Sequence, residues 1–218
     1  MSLNVNQFAA QRERMVRTQL ADRDICDARV LDAFRAVPRE DFVSFQYRDQ
    51  AYDDHPLPIG CDQTISQPYI VAVMLQHLEL QPDHRTLEVG AGSGYAAALL
   101  SRICQQVYAI ERHAELAATA EATLHLLGFR NAHIRAGDGT LGWPEEAPFD
   151  AILVSAAAAQ MPPALFAQLG EGGRMVVPIG PPSCQELHLI TKQGGLPLTR
   201  IFEGCRFVPL LEGPVVGG

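Results

Sequence analysis

Basic residues are in short supply in this chain: 17 Lys and Arg face 25 Asp and Glu, for a net charge of -8. A nucleic-acid partner selects for a basic face, so none is expected. Long apolar runs are missing as well. No window approaches the roughly 18 uninterrupted apolar residues of a membrane-spanning helix, which excludes a membrane protein of that kind. The N-terminal segment carries Gln11, Arg12, Glu13 and Arg14 where a secretory signal would have an apolar core, so the cytoplasm is the expected compartment. Cys26, Cys61, Cys104, Cys184 and Cys205 are odd in number and scattered, with no C-x-x-C, and the seven histidines show no H-E-x-x-H spacing. Reduced structural thiols and no metal follow. There is no G-x-x-x-x-G-K-[ST], hence no P-loop, and neither an internal repeat nor a low-complexity linker. A length of 218 residues suits one well-buried domain.

What is present is organised around Leu87-Glu88-Val89-Gly90-Ala91-Gly92-Ser93-Gly94-Tyr95. An apolar stretch precedes the glycines and an Ala/Leu-rich stretch follows them, which reads as strand, loop and helix. Glycine reaches positive φ and has no Cβ to block a ligand. Such a loop sets backbone N–H groups and a helix N-terminus at the carboxyl edge of a sheet. Dinucleotide folds want G-x-G-x-x-G; here Gly90, Gly92 and Gly94 alternate behind an acid, Glu88. Glu111 ends the next apolar run, Gln106 to Ile110, where nucleotide-binding folds place a carboxylate for ribose hydroxyls. Asp138 and Gly139 follow a third run and could address an adenine, although a D-G pair is also an ordinary turn.

In chain order, helices are expected over 6–20 and 27–36, then turn-rich sequence from Arg48 to Gly60 whose Pro56 and Pro58 break any regular element. Ser66-Gln67-Pro68 opens another helix, with Pro in its first turn. Strands at 85–89, 106–110, 132–135, 149–155 and 173–178 alternate with helices at 95–104, 113–127 and 162–169. That alternation predicts an α/β fold with a doubly wound, mostly parallel sheet. Two strand-like runs, 186–191 and 198–207, flank Gln193-Gly194-Gly195 and predict a C-terminal β-hairpin. The expected division is a helical layer and loop over 1–60, a cofactor-binding core over 61–180 and C-terminal strands over 181–218, all in one domain.

Glu88-x-Gly-x-Gly-x-Gly94 resembles the first motif of class I S-adenosylmethionine-dependent methyltransferases. Four further strings narrow the likeness: Pro58 through Pro68, with Gln63-Thr64-Ile65-Ser66-Gln67-Pro68; Gly137-Asp138-Gly139; Ala147 to Ile152; and Arg206-Phe207-Val208-Pro209-Leu210. With these, the chain is similar to the protein-L-isoaspartate O-methyltransferases, in order from about Ala51 to Leu210. The resemblance implies a Rossmann-like methyltransferase fold and methyl transfer from S-adenosylmethionine to the α-carboxylate of L-isoaspartyl residues. The ester then collapses through a succinimide, returning some of the damage to aspartate. It implies Ser66 as the active-site serine and Glu88, Gly90, Gly92, Gly94, Glu111, Asp138 and Gly139 as cofactor contacts. Thr64, Ile65, Ser66 and Val208 would bind substrate. The partners implied are damaged proteins and peptides, with no nucleic acid or membrane, for a monomer.

The residues suit that chemistry. A carboxylate is already ionised at neutral pH and needs no general base, so the lack of a His–Asp or Cys–His dyad is no objection. Ser66 could hold the carboxylate through one hydrogen bond, or simply cap its helix. Cys61 and Asp62 depart from the family's pattern, which has glycine at the second position, and they leave open a related methyltransferase for another carboxylate. A cofactor-binding protein without turnover is a third reading.

Overall fold

The computed structural model describes residues 5–213. The chain opens with α1 (Val5–Met15), continued by a π-helical segment over Val16–Ala21, and then α2 (Ala28–Ala36). Asp27 caps α2 by accepting from the Arg29 N–H at 2.9 Å, which satisfies a donor that the helix start leaves open. Two 3-10 turns, Arg39–Phe42 and Phe45–Gln50, lead into β1 (Leu57–Gly60) and β2 (Gln63–Ile65). These two strands pair antiparallel, so part of the segment expected to hold no regular element is one arm of a hairpin. Pro58 is tolerated because the ribbon has only two strands and needs few ladder bonds. Its two-residue loop, Cys61-Asp62, has φ of +50° and +55°. Two-residue hairpin turns of type I′ demand positive φ at both central positions.

The alternating part follows: α3 (Pro68–His77), β3 (Arg85–Val89), α4 (Tyr95–Ile103), β4 (Gln106–Glu111), α5 (Ala114–Leu126), β5 (Ala132–Ala136), β6 (Phe149–Val154), α6 (Pro163–Gln168) and β7 (Leu169–Ile179). It ends with β8 (Gln185–Gln193) and β9 (Leu196–Cys205). One seven-stranded sheet takes the order β5-β4-β3-β6-β7-β8-β9. Strands β5 to β7 are parallel; β8 and β9 run antiparallel to their neighbours. The doubly wound, mostly parallel sheet and its C-terminal hairpin are therefore observed. Gly194 and Gly195 make the hairpin turn with φ of +58° and +76°, and the Glu171 carboxylate accepts from both their N–H groups.

Side-chain alternation decides the layers. Leu87, Val89, Tyr108, Ile110, Ile152 and Val154 face one way, against Leu165 of α6. Val107, Ala109, Ala151 and Leu153 face the other, against residues of α2, α3, α4 and α5. Strand β7 starts four residues before its predicted beginning. Gly170 and Gly173 lie so close to the Phe149 and Asp150 carbonyls that a Cβ would stand 3.3 and 3.0 Å from them. The glycines thus let an irregular pairing of β6 with β7 form ahead of the predicted strand. Strand order reverses around β3, between β4 and β6. Open α/β sheets leave a crevice beyond the strand ends at such a point.

Candidate active site

The glycine loop fills that crevice. Gly90, Gly92 and Gly94 take φ of +88°, +53° and +84°, a region that side-chain-bearing residues avoid. The N–H groups of Gly90 and Ala91 donate to the Ile110 carbonyl at 2.8 and 3.1 Å, which stitches the loop to β4. Glu111, at the end of β4, holds the loop from the side. Its Oε2 accepts from the Gly92 N–H at 2.8 Å and its Oε1 from the His113 N–H at 2.9 Å. A Cβ at Gly94 would stand 3.1 Å from Ala120 Cβ, so this glycine also lets α4 approach α5.

Glu88 lies behind the loop, 1 % exposed. Ser155 Oγ donates to its Oε1 at 3.4 Å, while Oε2 is buried with no partner among the described residues. Burial pushes its pKa well above the usual carboxylate range, the Glu111 charge adds to this, and Ser155 and the Ala97 N–H only partly offset it.

Asp138 caps a short 3-10 turn. Its Oδ1 accepts from the Thr140 N–H at 2.9 Å and hydroxyl at 2.6 Å, and its Oδ2 from the Gly213 N–H at 2.7 Å. Burial raises its pKa, but these donors outweigh it and hold the carboxyl below its ordinary value. At the neighbouring Gly139 a Cβ would fall 2.6 Å from Val89 Cγ1. The Gly213 bond fastens a strap, residues 207–213, across the carboxyl edge. Gln185 holds the Phe207 backbone through both its amide atoms, at 2.7 and 3.1 Å. Ala157 exchanges hydrogen bonds with Val208 and Leu210, each at 2.8 Å.

Two cavities open beneath the strap. A narrow cleft is lined by Gly90, Gly92, Glu111, Gly139 and Leu210, among others. A larger cavity of about 1010 Å³ is lined by Ser66, Gln67, Tyr69, Cys184 and Arg206, among others. Thr64, Ser155 and Val208 line both, so the two meet at these residues. Of the sequence-predicted residues, Ile65 is 5 % exposed and packs in the core. Glu88, Gly94 and Asp138 stand behind the cavity walls. Cys61 and Asp62 sit at the hairpin tip and line neither cavity. Helix α3 takes Gln67 as its N-cap, without a side-chain cap bond, so Ser66 precedes the cap. Sequence reasoning missed Ser155, which lines both cavities, and Gln185, which anchors the strap. Ser155 was within reach, since it follows the carboxyl end of a strand adjacent to the glycine loop.

The family profile of protein-L-isoaspartate(D-aspartate) O-methyltransferase (PCMT) matches residues 10–214. The chain belongs to this family. A protein-L-isoaspartate O-methyltransferase from Koribacter versatilis is 53% identical over 94% of this chain and 92% of its own. One from Methylorubrum extorquens is 57% identical over 94% and 90%. Among solved structures, a protein-L-isoaspartate O-methyltransferase superposes with a TM-score of 0.83 at 31% identity, covering 91% of this chain and 65% of that longer one. The beta-aspartate methyltransferase of Plasmodium falciparum, in complex with S-adenosyl-L-homocysteine, gives 0.81 at 27% identity over 92% and 98%.

As a PCMT member the chain is a methyltransferase whose donor is S-adenosylmethionine. The residues present fit that group. Gly90 and Gly92 line the cleft with left-handed backbone that side chains avoid, and a buried Glu88 oxygen without a partner among the described residues lies behind it. Bound there, the cofactor supplies an electrophilic methyl group on a positively charged sulfur.

Proposed function

We infer that the chain methylates the α-carboxylate of L-isoaspartyl residues in damaged proteins and peptides, the first step of their repair. The observation that carries this reading is the meeting of the two cavities at Thr64, Ser155 and Val208, with Ser66 on the acceptor side. In this reading Gly90, Gly92, Glu111 and Gly139 line the cofactor's cleft, and Gly94, Asp138 and Glu88, the other predicted cofactor residues, shape it from behind.

Ser66 is the catalytic residue: its hydroxyl donates to one acceptor oxygen and leaves the other free to attack. Thr64 and Val208 wall the acceptor, and Ile65 supports them from the core. No residue is asked to remove a proton, because the acceptor is already ionised. The work of the chain is alignment and exclusion of water, which is worth several kcal/mol of barrier, at the order of about 7–11 for ideal positioning. The strap's anchors, Gln185 and Ala157, serve that exclusion.

Chain 1–218 acts in this reading as one unit, a cytoplasmic monomer with neither nucleic acid nor membrane as partner. Its net charge of -8 and its five free thiols support that setting. Among the described residues, no helix is long and apolar enough to cross a membrane.

The test is transfer of labelled methyl from S-adenosylmethionine to matched peptides carrying L-isoaspartate or aspartate. Base-labile label on the isoaspartyl peptide alone is expected. Label on neither peptide, with cofactor binding intact, would move the substrate to another carboxylate.

A further inference from the structure

The first 3-10 turn places two charged residues in the interior. Arg39 is fully buried and Glu40 is 8 % exposed. Burying a guanidinium is costly unless its donors are satisfied, so its partners matter. Arg39 Nε donates to the Ala51 carbonyl at 2.8 Å and Nη2 to the Ser66 carbonyl at 2.7 Å, while Nη1 is buried with no partner among the described residues. Its guanidinium carbon lies 4.8 Å from the centre of the Tyr95 ring, the first residue of α4 after the glycine loop. Phe34 and Phe42 fix that ring edge-on, with centroids at 6.1 and 5.5 Å. Next door, Tyr52 donates to the Glu40 carboxylate, and Gln19 Nε2 donates to the Tyr52 carbonyl at 2.9 Å. The turn therefore grips three separate pieces of chain: residues 51–52, Ser66 and the start of α4.

We propose that Arg39 is a positioning residue for methyl transfer, fixing the Ser66 backbone relative to the helix that follows the cofactor loop. Acceptor and donor belong to different segments, the β2–α3 junction and the β3–α4 loop. In-line transfer needs them in a set relation, and an error of about 1 Å can cost on the order of a hundredfold in rate. Arg39 is a tie between the two that passes through neither cavity. A planar fork makes two bonds in fixed directions and spreads its charge beside the Tyr95 ring; an ammonium on the same site is a point charge and cannot span both carbonyls in the same way. The N-terminal layer, which reaches the larger cavity through Arg23, acquires through Arg39 a further role in the reaction.

The inference rests on the role given to Ser66, so wild-type transfer to the isoaspartyl peptide is measured first; its absence sinks that reading and not the tie. Arg39→Lys and Arg39→Gln are then compared with wild type in kcat, KM, S-adenosylhomocysteine affinity by calorimetry, and amide hydrogen exchange. The expected result is a kcat lowered roughly ten- to a hundredfold, with cofactor affinity kept within about twofold. Exchange should quicken over residues 63–67 while β3, β4 and β6 stay protected. Unchanged kcat in both variants would overturn the proposal. So would loss of cofactor binding in both, or exchange rising evenly through the sheet, since either would make Arg39 a determinant of the fold alone.

Discussion

The Gly92 N–H donates to Glu111 Oε2 at 2.8 Å, so the acid that ends β4 also sets the middle of the glycine loop. Its second oxygen is engaged by the His113 N–H. Two donors therefore require two acceptor oxygens. Glu111→Gln offers only one and turns an NH2 toward an N–H. Hydrogen bonds to charged groups are worth about 1.5–3 kcal/mol, so binding of S-adenosylhomocysteine should weaken roughly ten- to a hundredfold. Calorimetry checks this, and Glu111→Asp should do no better because its shorter stem cannot span both donors.

Glu88 makes a pH prediction. Its folded-state pKa lies well above that of an unfolded glutamate because burial and Glu111 disfavour the charge. Between those two values the folded chain binds more protons than the unfolded one. Stability is therefore full below the ordinary carboxylate range and falls as pH rises through the folded pKa. Each pH unit of that window is worth about 1.4 kcal/mol, or roughly 3–5 °C in Tm at this length. Glu88→Gln should flatten the decline, its Tm gaining on wild type from pH 5 to pH 8 in thermal scans. A parallel decline in both proteins would place the titration elsewhere.

These two residues show what kind of information the sequence holds. Strand β3 occupies the predicted residues 85–89, because a short apolar run ending in glycines has few alternatives. Glu88 and Glu111 were visible as acids beside a glycine loop; that Glu111 bonds the loop itself was not, since nothing in spacing orients a side chain. The β1 strand was hidden by Pro56 and Pro58, which argue for a break unless the ribbon is known to be two-stranded. Arg39 was hidden more thoroughly. It lies between the predicted helix over 27–36 and the turn-rich segment from Arg48, and only tertiary structure brings Ala51, Ser66 and Tyr95 around it.

Asp62 stands where the family's pattern has glycine, and in sequence it adds a negative charge close to Ser66. In the structure it is exposed at the hairpin tip with φ of +55°, outside the lining of both cavities. Its cost is conformational. A left-handed residue with a Cβ gives up about 1–2 kcal/mol, and glycine's extra chain entropy returns about 0.5–1. Asp62→Gly should raise Tm by a few degrees at most and leave kcat/KM for an isoaspartyl peptide within about twofold. A large gain in activity would restore the electrostatic explanation.

Asp138 and Gly213 connect the turn after β5 to the strap, and this bond is open to direct test. Both carboxylate oxygens accept from N–H or hydroxyl donors, so Asp138→Asn forces an NH2 against one of them. The strap's anchors at Phe207 and Ala157 are untouched by that change, and its far end alone should loosen. Hydrogen exchange should quicken at residues 211–213 and stay slow at 207–210. Because the donors depress the Asp138 pKa, the bond's contribution is present above the unfolded value of an aspartate and is lost as pH falls through the folded one. Acidifying the wild type should therefore reproduce the variant's exchange pattern at the strap. If the whole strap exchanges faster in Asp138→Asn, then Gly213 is the anchor on which the Gln185 and Ala157 contacts depend.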